Sequence, residues 1–165
     1  MRIQLTKRAD GGAVLRCERA DGTATWQRHE GRNAAFFPLH DLTHYAAETT
    51  LGARRGFFGL VASGWDIADT GGKGARGPLP AEALLVEHLV GFLDAERASG
   101  SRWTAADFEA QAVQVVTEHG GESVGAVPTD AMLASIRARR AELFARWAAL
   151  DAGDTLELTF DPEAR

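Results

Sequence analysis

The residues of this chain best suited to chemistry are His40-Asp41-Leu42-Thr43-His44, followed by Glu48. Two histidines four apart on a helix bring both imidazoles to one side, one turn apart. Imidazoles so placed are metal ligands, with zinc favoured and iron or manganese as alternatives. Projected at about 100° per residue, Leu39, Leu42 and Ala46 gather on one side of the helix. His40, Asp41, His44 and Glu48 gather on the other. Glu48 lies roughly 12 Å along the axis from His40. It cannot easily share one ion with both histidines at metal–nitrogen distances near ~2 Å. It therefore reads as a group that orients a ligand, a ligand to a second ion, or an unrelated residue. A third ligand must come from another segment, and Glu87, beside His88 on a later helix, is the first choice. Asp41 and Glu48 are the candidates to orient or deprotonate a water on the ion.

A polar arc opposite an apolar stripe is also what a surface helix presents to water. A second reading therefore stands beside the first: a non-catalytic binding or assembly module, with the arc as polar surface or ligand-contact patch. Phe36-Phe37 before the motif and the apolar stretch after it are the segments able to cover the arc and make it a pocket.

Residues 40–44 resemble the HExxH helix of zinc metallopeptidases, with Asp41 in place of the glutamate. That resemblance implies a zinc ion held by His40 and His44, with Asp41, one methylene shorter, in the general-base position. The same residues are similar to the HDxxH of the ubiquinone-biosynthesis accessory family. That family carries a glutamate twelve positions after its second histidine, where this chain has Gly56. The wider stretch LHDLTHYAAETTLGARRGFFGLVASGWD resembles a family of bacterial proteins of unknown function, which implies no activity. A looser likeness to HD phosphohydrolases draws on His29 and on Asp66 or Asp94 around His40-Asp41.

The elements that must hold these residues follow from local patterning. Ile3 and Leu5 alternate with polar residues, Asp10-Gly11-Gly12 makes a turn, and Val14 to Arg19 alternates again. Asp21-Gly22 leads into a third strand over 23–28, with Trp26 expected to point inward. Leu156, Leu158 and Phe160 repeat the alternation at the far end and are expected to join the N-terminal strands, because a lone strand leaves its backbone unsatisfied. Pro38 can start a helix that runs to about Thr50, with Gly52 as its stop. The apolar stretch 55–65 reads as a buried helix, 69–80 as a glycine- and proline-rich loop, and 81–98 as an amphipathic helix. Thr104 and Asp107 resemble a capping box for a helix ending at Gly120-Gly121, and Thr129 caps the last helix. The expected fold class is α+β: a small antiparallel sheet, from an N-terminal meander plus a C-terminal strand, packed with about five helices.

The chain has 165 residues, 45% hydrophobic and 25% charged, sufficient for a single domain over 1–165. A net charge of −5 argues against a nucleic-acid partner. No apolar run of spanning length is present, which argues against a membrane partner. The single cysteine, Cys17, excludes an internal disulfide and fits a reducing, cytoplasmic setting. The expected partner is a small-molecule substrate whose class the sequence does not specify. Lesser candidates take structural readings: Glu96 on an apolar helix face as a buried partner of an arginine, His119 at a helix end, and Arg137, Arg139, Arg140 and Arg146 as a solvated basic face. Lys73 in the glycine-rich loop is not followed by Ser or Thr, so the loop is not a P-loop, though an anion site there stays open.

Overall fold

The computed structural model describes residues 1–72, 76–118 and 128–163, and of 113–118 the backbone alone. His119, Gly120-Gly121 and Lys73 lie outside the described residues. Four strands form an antiparallel sheet: β1 (Arg2–Lys7), β2 (Ala13–Glu18), β3 (Ala24–His29) and β4 (Thr155–Thr159), in the order β3-β2-β1-β4. The α+β class and the pairing of the C-terminal strand with the N-terminal meander are as the alternation predicts. Ile3 stands opposite Cys17 on one side and Leu158 on the other, and Leu5 opposite Leu15 and Leu156. All of these are buried, so a single apolar face is built from both ends of the chain.

Among the described residues there are five α-helices: α1 (Phe37–Leu51), α2 (Phe57–Ala62), α3 (Ala81–Ser99), α4 (Ala105–Glu118), which packs on α3, and α5 (Asp130–Ala148). Pro38 sits in the first turn of α1, and Gly52 closes the helix at φ 66°, where a side chain would be strained. The capping box at α4 is formed: Asp107 N donates to Thr104 Oγ1 at 3.2 Å, and Thr104 N donates to Asp107 Oδ2 at 2.8 Å. Thr129 caps α5 through Met132 N at 3.2 Å. α1 is the central helix. It packs on α3 and α5 and is tied to the sheet by Tyr45, whose hydroxyl donates to Thr159 O at 2.9 Å.

Three expectations need correction. Trp26 does not point inward: the register sets Thr25 opposite Cys17 and His29 opposite Ala13, so those residues take the buried face and Trp26, one step out of phase, stands 66% exposed. The apolar stretch 55–65 gives only the six-residue α2, which stops at Ser63 before Gly64 turns the chain at φ 102°. The arginines of α5 are not all solvated, because Arg137 and Arg140 turn inward onto α3. Among the described residues no helix is long and apolar enough to cross a membrane.

Candidate metal centre

The polar arc of α1 is not a solvated face. His44 and Glu48 are 1% and 0% exposed, and Asp41 and Thr43 are buried beside them. The covering comes from the predicted flanks, where Phe36 stacks on His40 at 5.4 Å and Phe57 leans on His44 at 5.4 Å. α3 crosses the arc and contributes Glu87 and Asp94, seven residues apart and therefore on one face two turns apart.

His40, His44 and Glu87 each offer a ligand atom, and the three atoms lie within 4.8 Å of one another. His40 Nδ1 is bonded to Asp94 Oδ2 at 2.8 Å, and His44 Nδ1 to Glu48 Oε1 at 3.3 Å. Each imidazole therefore has one nitrogen held by a carboxylate, which fixes ring and tautomer and leaves Nε2 for a ligand. His44 Nε2 stands 3.4 Å from Glu87 Oε1. Tetrahedral ligands at about 2 Å from zinc are roughly 3.3 Å apart, so this pair already has the needed spacing. The Glu87 side chain is 40% exposed and free to adjust. Three such donors leave a coordination position open, as catalytic sites require and structural zinc sites do not.

The electrostatics favour a cation. Burial alone would lower the His44 pKa, but the Glu48 and Glu87 carboxylates, which accept from its ring and attract its charge, outweigh it and lift the imidazole to about 10. Burial pushes the Glu48 carboxyl up against the opposing pull of His44 and two backbone amides. Burial likewise works to raise Glu87, but the contact with His44 holds its carboxyl below the usual range. Without a metal ion, a proton on His44 supplies the positive charge that the carboxylates call for.

Glu48 is wholly buried. Its oxygens take His44 Nδ1, Phe58 N at 3.2 Å and Gly59 N at 3.1 Å, so it orients His44 and ties α1 to α2. It does not reach the cavity, which corrects its placement as a group that handles water. Gly56 permits this arrangement. A Cβ there would lie 2.5 Å from Glu48 Cδ, so the glutamate that the ubiquinone-biosynthesis family carries at this position has no room in this chain.

Asp41 does line the cavity, a space of about 580 Å³ shared with His29, His40, His44, Phe37, Phe57 and Glu87. Its Oδ2 bonds His29 Nε2 at 2.6 Å, and its other oxygen makes no hydrogen bond among the described residues. His29 reaches the site because the sheet packs over α1. The residues of the HD-type likeness thus sort into two separate pairs, His29–Asp41 and His40–Asp94, while Asp66 stands outside, 3.5 Å from Arg19. His88, next to Glu87, faces a different groove with Phe92 and Trp103.

The residues that sequence reasoning weighed too lightly are His29 and Asp94. Each had a signal: His29 is in phase with Thr25 on the inward face of β3, and Asp94 is in phase with Glu87 on α3. Fold and site together define an α+β protein with a two-histidine, one-carboxylate centre able to hold a metal ion. No protein-family model, no curated protein and no solved structure matches the chain.

Proposed function

We propose that this protein is a mononuclear metalloenzyme of hydrolase type. His40, His44 and Glu87 hold a divalent ion, with zinc favoured by two imidazoles and one carboxylate. The observation that carries the reading is the convergence of the three ligand atoms within 4.8 Å, with each imidazole anchored by its own carboxylate. The ion supplies a Lewis acid and lowers the pKa of a water in the open position. Asp41, held by His29 on the cavity wall, is the carboxylate that would take a proton from a water activated there. Glu48 and Asp94 orient the ligand imidazoles, and the enclosing aromatics limit access of bulk water.

Elemental analysis of the purified, untagged protein beside the His40→Ala/His44→Ala double variant tests the site. About one equivalent of zinc in the parent and none in the variant is expected for a three-ligand centre. No metal in the parent after supplementation would overturn the reading. The loaded parent is then expected to hydrolyse activated esters or amides, and the Asp41→Asn variant to keep its zinc and lose about 100-fold or more in kcat.

A further inference from the structure

Glu87 belongs to the walls of two cavities. One is the space before His40 and His44. The other is a groove of about 490 Å³, a volume in the range of sites that hold one small organic molecule. Its members on α3, from Leu84 through Glu87, His88 and Gly91 to Phe92 and Ala95, recur every three or four residues and so form one stripe of that helix. The stripe is about 16 Å long from Leu84 to Ala95. Trp103 completes the wall, and the rings of His88, Phe92 and Trp103 are in contact in series, at 5.1 and 4.9 Å. Glu87 is the only carboxylate among the described residues of this wall, and burial holds the His88 imidazole below its usual range, so it is neutral.

Two features of the groove serve no contact among the described residues. Gly91 lies in the interior of a 19-residue helix, where glycine is less favourable than alanine. No neighbour requires it, because a Cβ there would meet no atom within 4 Å. Its missing side chain leaves the floor of the groove open. The second feature is polar. Trp103 Nε1, which can only donate, and His88 Nε2 are buried and have no hydrogen-bond partner among the described residues. A buried donor in that state is costly, and a bound group is one remedy.

We propose that this groove receives the acyl chain of the substrate: a linear apolar chain lies along the Leu84–Ala95 stripe while the carbonyl at its head reaches the metal centre past Glu87. The length of the stripe and its small residues, Gly91 and Ala95, suit a chain, and Leu84 and Phe92 bury it. An oxygen on that chain is the partner that the Trp103 indole lacks. Glu87 can border both spaces, since its Oε1 stands against His44 while the side chain is 40% exposed. That the chain belongs to a hydrolysed substrate rests on the hydrolase reading; that the groove takes an apolar chain does not.

Zinc-chelating hydroxamates of increasing length separate the two. Acetohydroxamate, hexanohydroxamate and octanohydroxamate share one chelating head and differ only in methylenes. Calorimetric titration of the zinc-loaded protein is expected to show affinity rising about twofold or more per methylene, part of the roughly fourfold that full burial gives. Gly91→Leu fills the floor of the groove and meets no neighbour. It is expected to keep its zinc and its acetohydroxamate affinity, and to cut the gain from acetohydroxamate to octanohydroxamate at least about tenfold. Equal affinities across the series would overturn the proposal and leave the metal centre standing. A gain that Gly91→Leu leaves intact would also overturn it, by placing the chain in the cavity of Phe37 and Phe57. If the protein takes up no zinc, the hydrolase reading falls, and the groove is read on the zinc-free protein with octanamide. The indole N–H resonance of Trp103, assigned with Trp103→Phe, is then expected to shift in the parent and not in Gly91→Leu. No shift in the parent would overturn the proposal. A dimer of the parent that Gly91→Leu dissolves would give the groove to a second copy of the protein and overturn it as well.

Discussion

Helix α3 carries two buried carboxylate centres, and they are built on opposite plans. Near its C-terminal end Glu96 is saturated. Arg137 Nε and Nη2 donate to its two oxygens at 3.1 and 2.5 Å, Trp103 N donates at 2.7 Å, and Arg140 stands 3.8 Å away. Burial works to raise its carboxyl, but the Arg137 contact holds it below the usual range. On the side of α3 that meets α1, Asp94, two residues before Glu96, faces His40, and Glu87, two turns further toward the N-terminus, faces His44, with Glu48 and Asp41 behind. Four carboxylates there meet three imidazoles, and the nearest guanidinium, Arg97, is 3.6 Å from Asp94 Oδ1. Buried charge that is fully paired organises the fold; the second cluster instead brings its carboxylates and oriented imidazoles together at an open cavity.

That contrast is broken most directly by removing one carboxylate from each centre. Glu96→Ala leaves Arg137 buried without its partner and is expected to cost about 3–5 kcal/mol in urea unfolding, with zinc uptake intact. Glu87→Ala is expected to abolish zinc binding while unfolding changes by under about 1 kcal/mol, because the side chain is 40% exposed. Equal destabilisation by the two would make Glu87 a structural residue like Glu96. Next in size is Gly56→Ala. The backbone there is at φ −72°, so no strain in φ arises, and the whole effect comes from the overlap with Glu48. Overpacking of this kind costs about 1–3 kcal/mol, and displacement of Glu48 releases His44. The variant is therefore expected to lose zinc affinity along with stability, whereas Glu96→Ala loses stability alone.

Period-2 and period-3.6 patterns made most of the scaffold legible. Leu156 and Leu158 announced a strand that had to find the N-terminal meander, and Thr104 and Thr129 marked helix starts that are now seen as hydrogen bonds. In the site, the spacing of His40 and His44 follows from helical geometry, whereas Glu87 is marked only as a carboxylate on a later helix. What the sequence hid were relations across elements. Whether the arc of α1 faced water depended on α3 lying over it, which no local pattern encodes. Hydrophobicity alone turns Trp26 and not Thr25 to the inward face of β3, yet His29 takes that face and reaches Asp41. Arg137 and Arg140 read as surface residues because the Glu96 they serve is more than forty positions away.

The paired plan of the metal centre is sharpened by Asp94→Asn. The amide keeps the shape but not the charge that orients His40, and loss of such a partner lowers metal affinity about 10–100-fold. A competition assay with a chelating dye measures it, and unchanged affinity would detach Asp94 from the centre.

The smallest increment, taken per pH unit, concerns the proton that stands in for the ion. His44 is lifted from 6.5 to about 10 in the folded, metal-free protein, so the folded state holds this proton more tightly than the unfolded chain. The stability it contributes is fully present below pH 6.5 and is lost as pH rises through 10. Thermal unfolding of the zinc-free protein is expected to weaken over that window. Zinc uptake has the opposite sign: the ion must expel the proton, so affinity rises with pH up to about 10, by at most about tenfold per unit for the one proton displaced. Calorimetric zinc titrations at pH 7 in two buffers of different ionisation enthalpy count that proton. About one released per ion supports a charged His44 between Glu48 and Glu87. None released would mean that the imidazole is neutral before the ion arrives, and the carboxylates of this centre would then have no more call on a cation than Glu96 does.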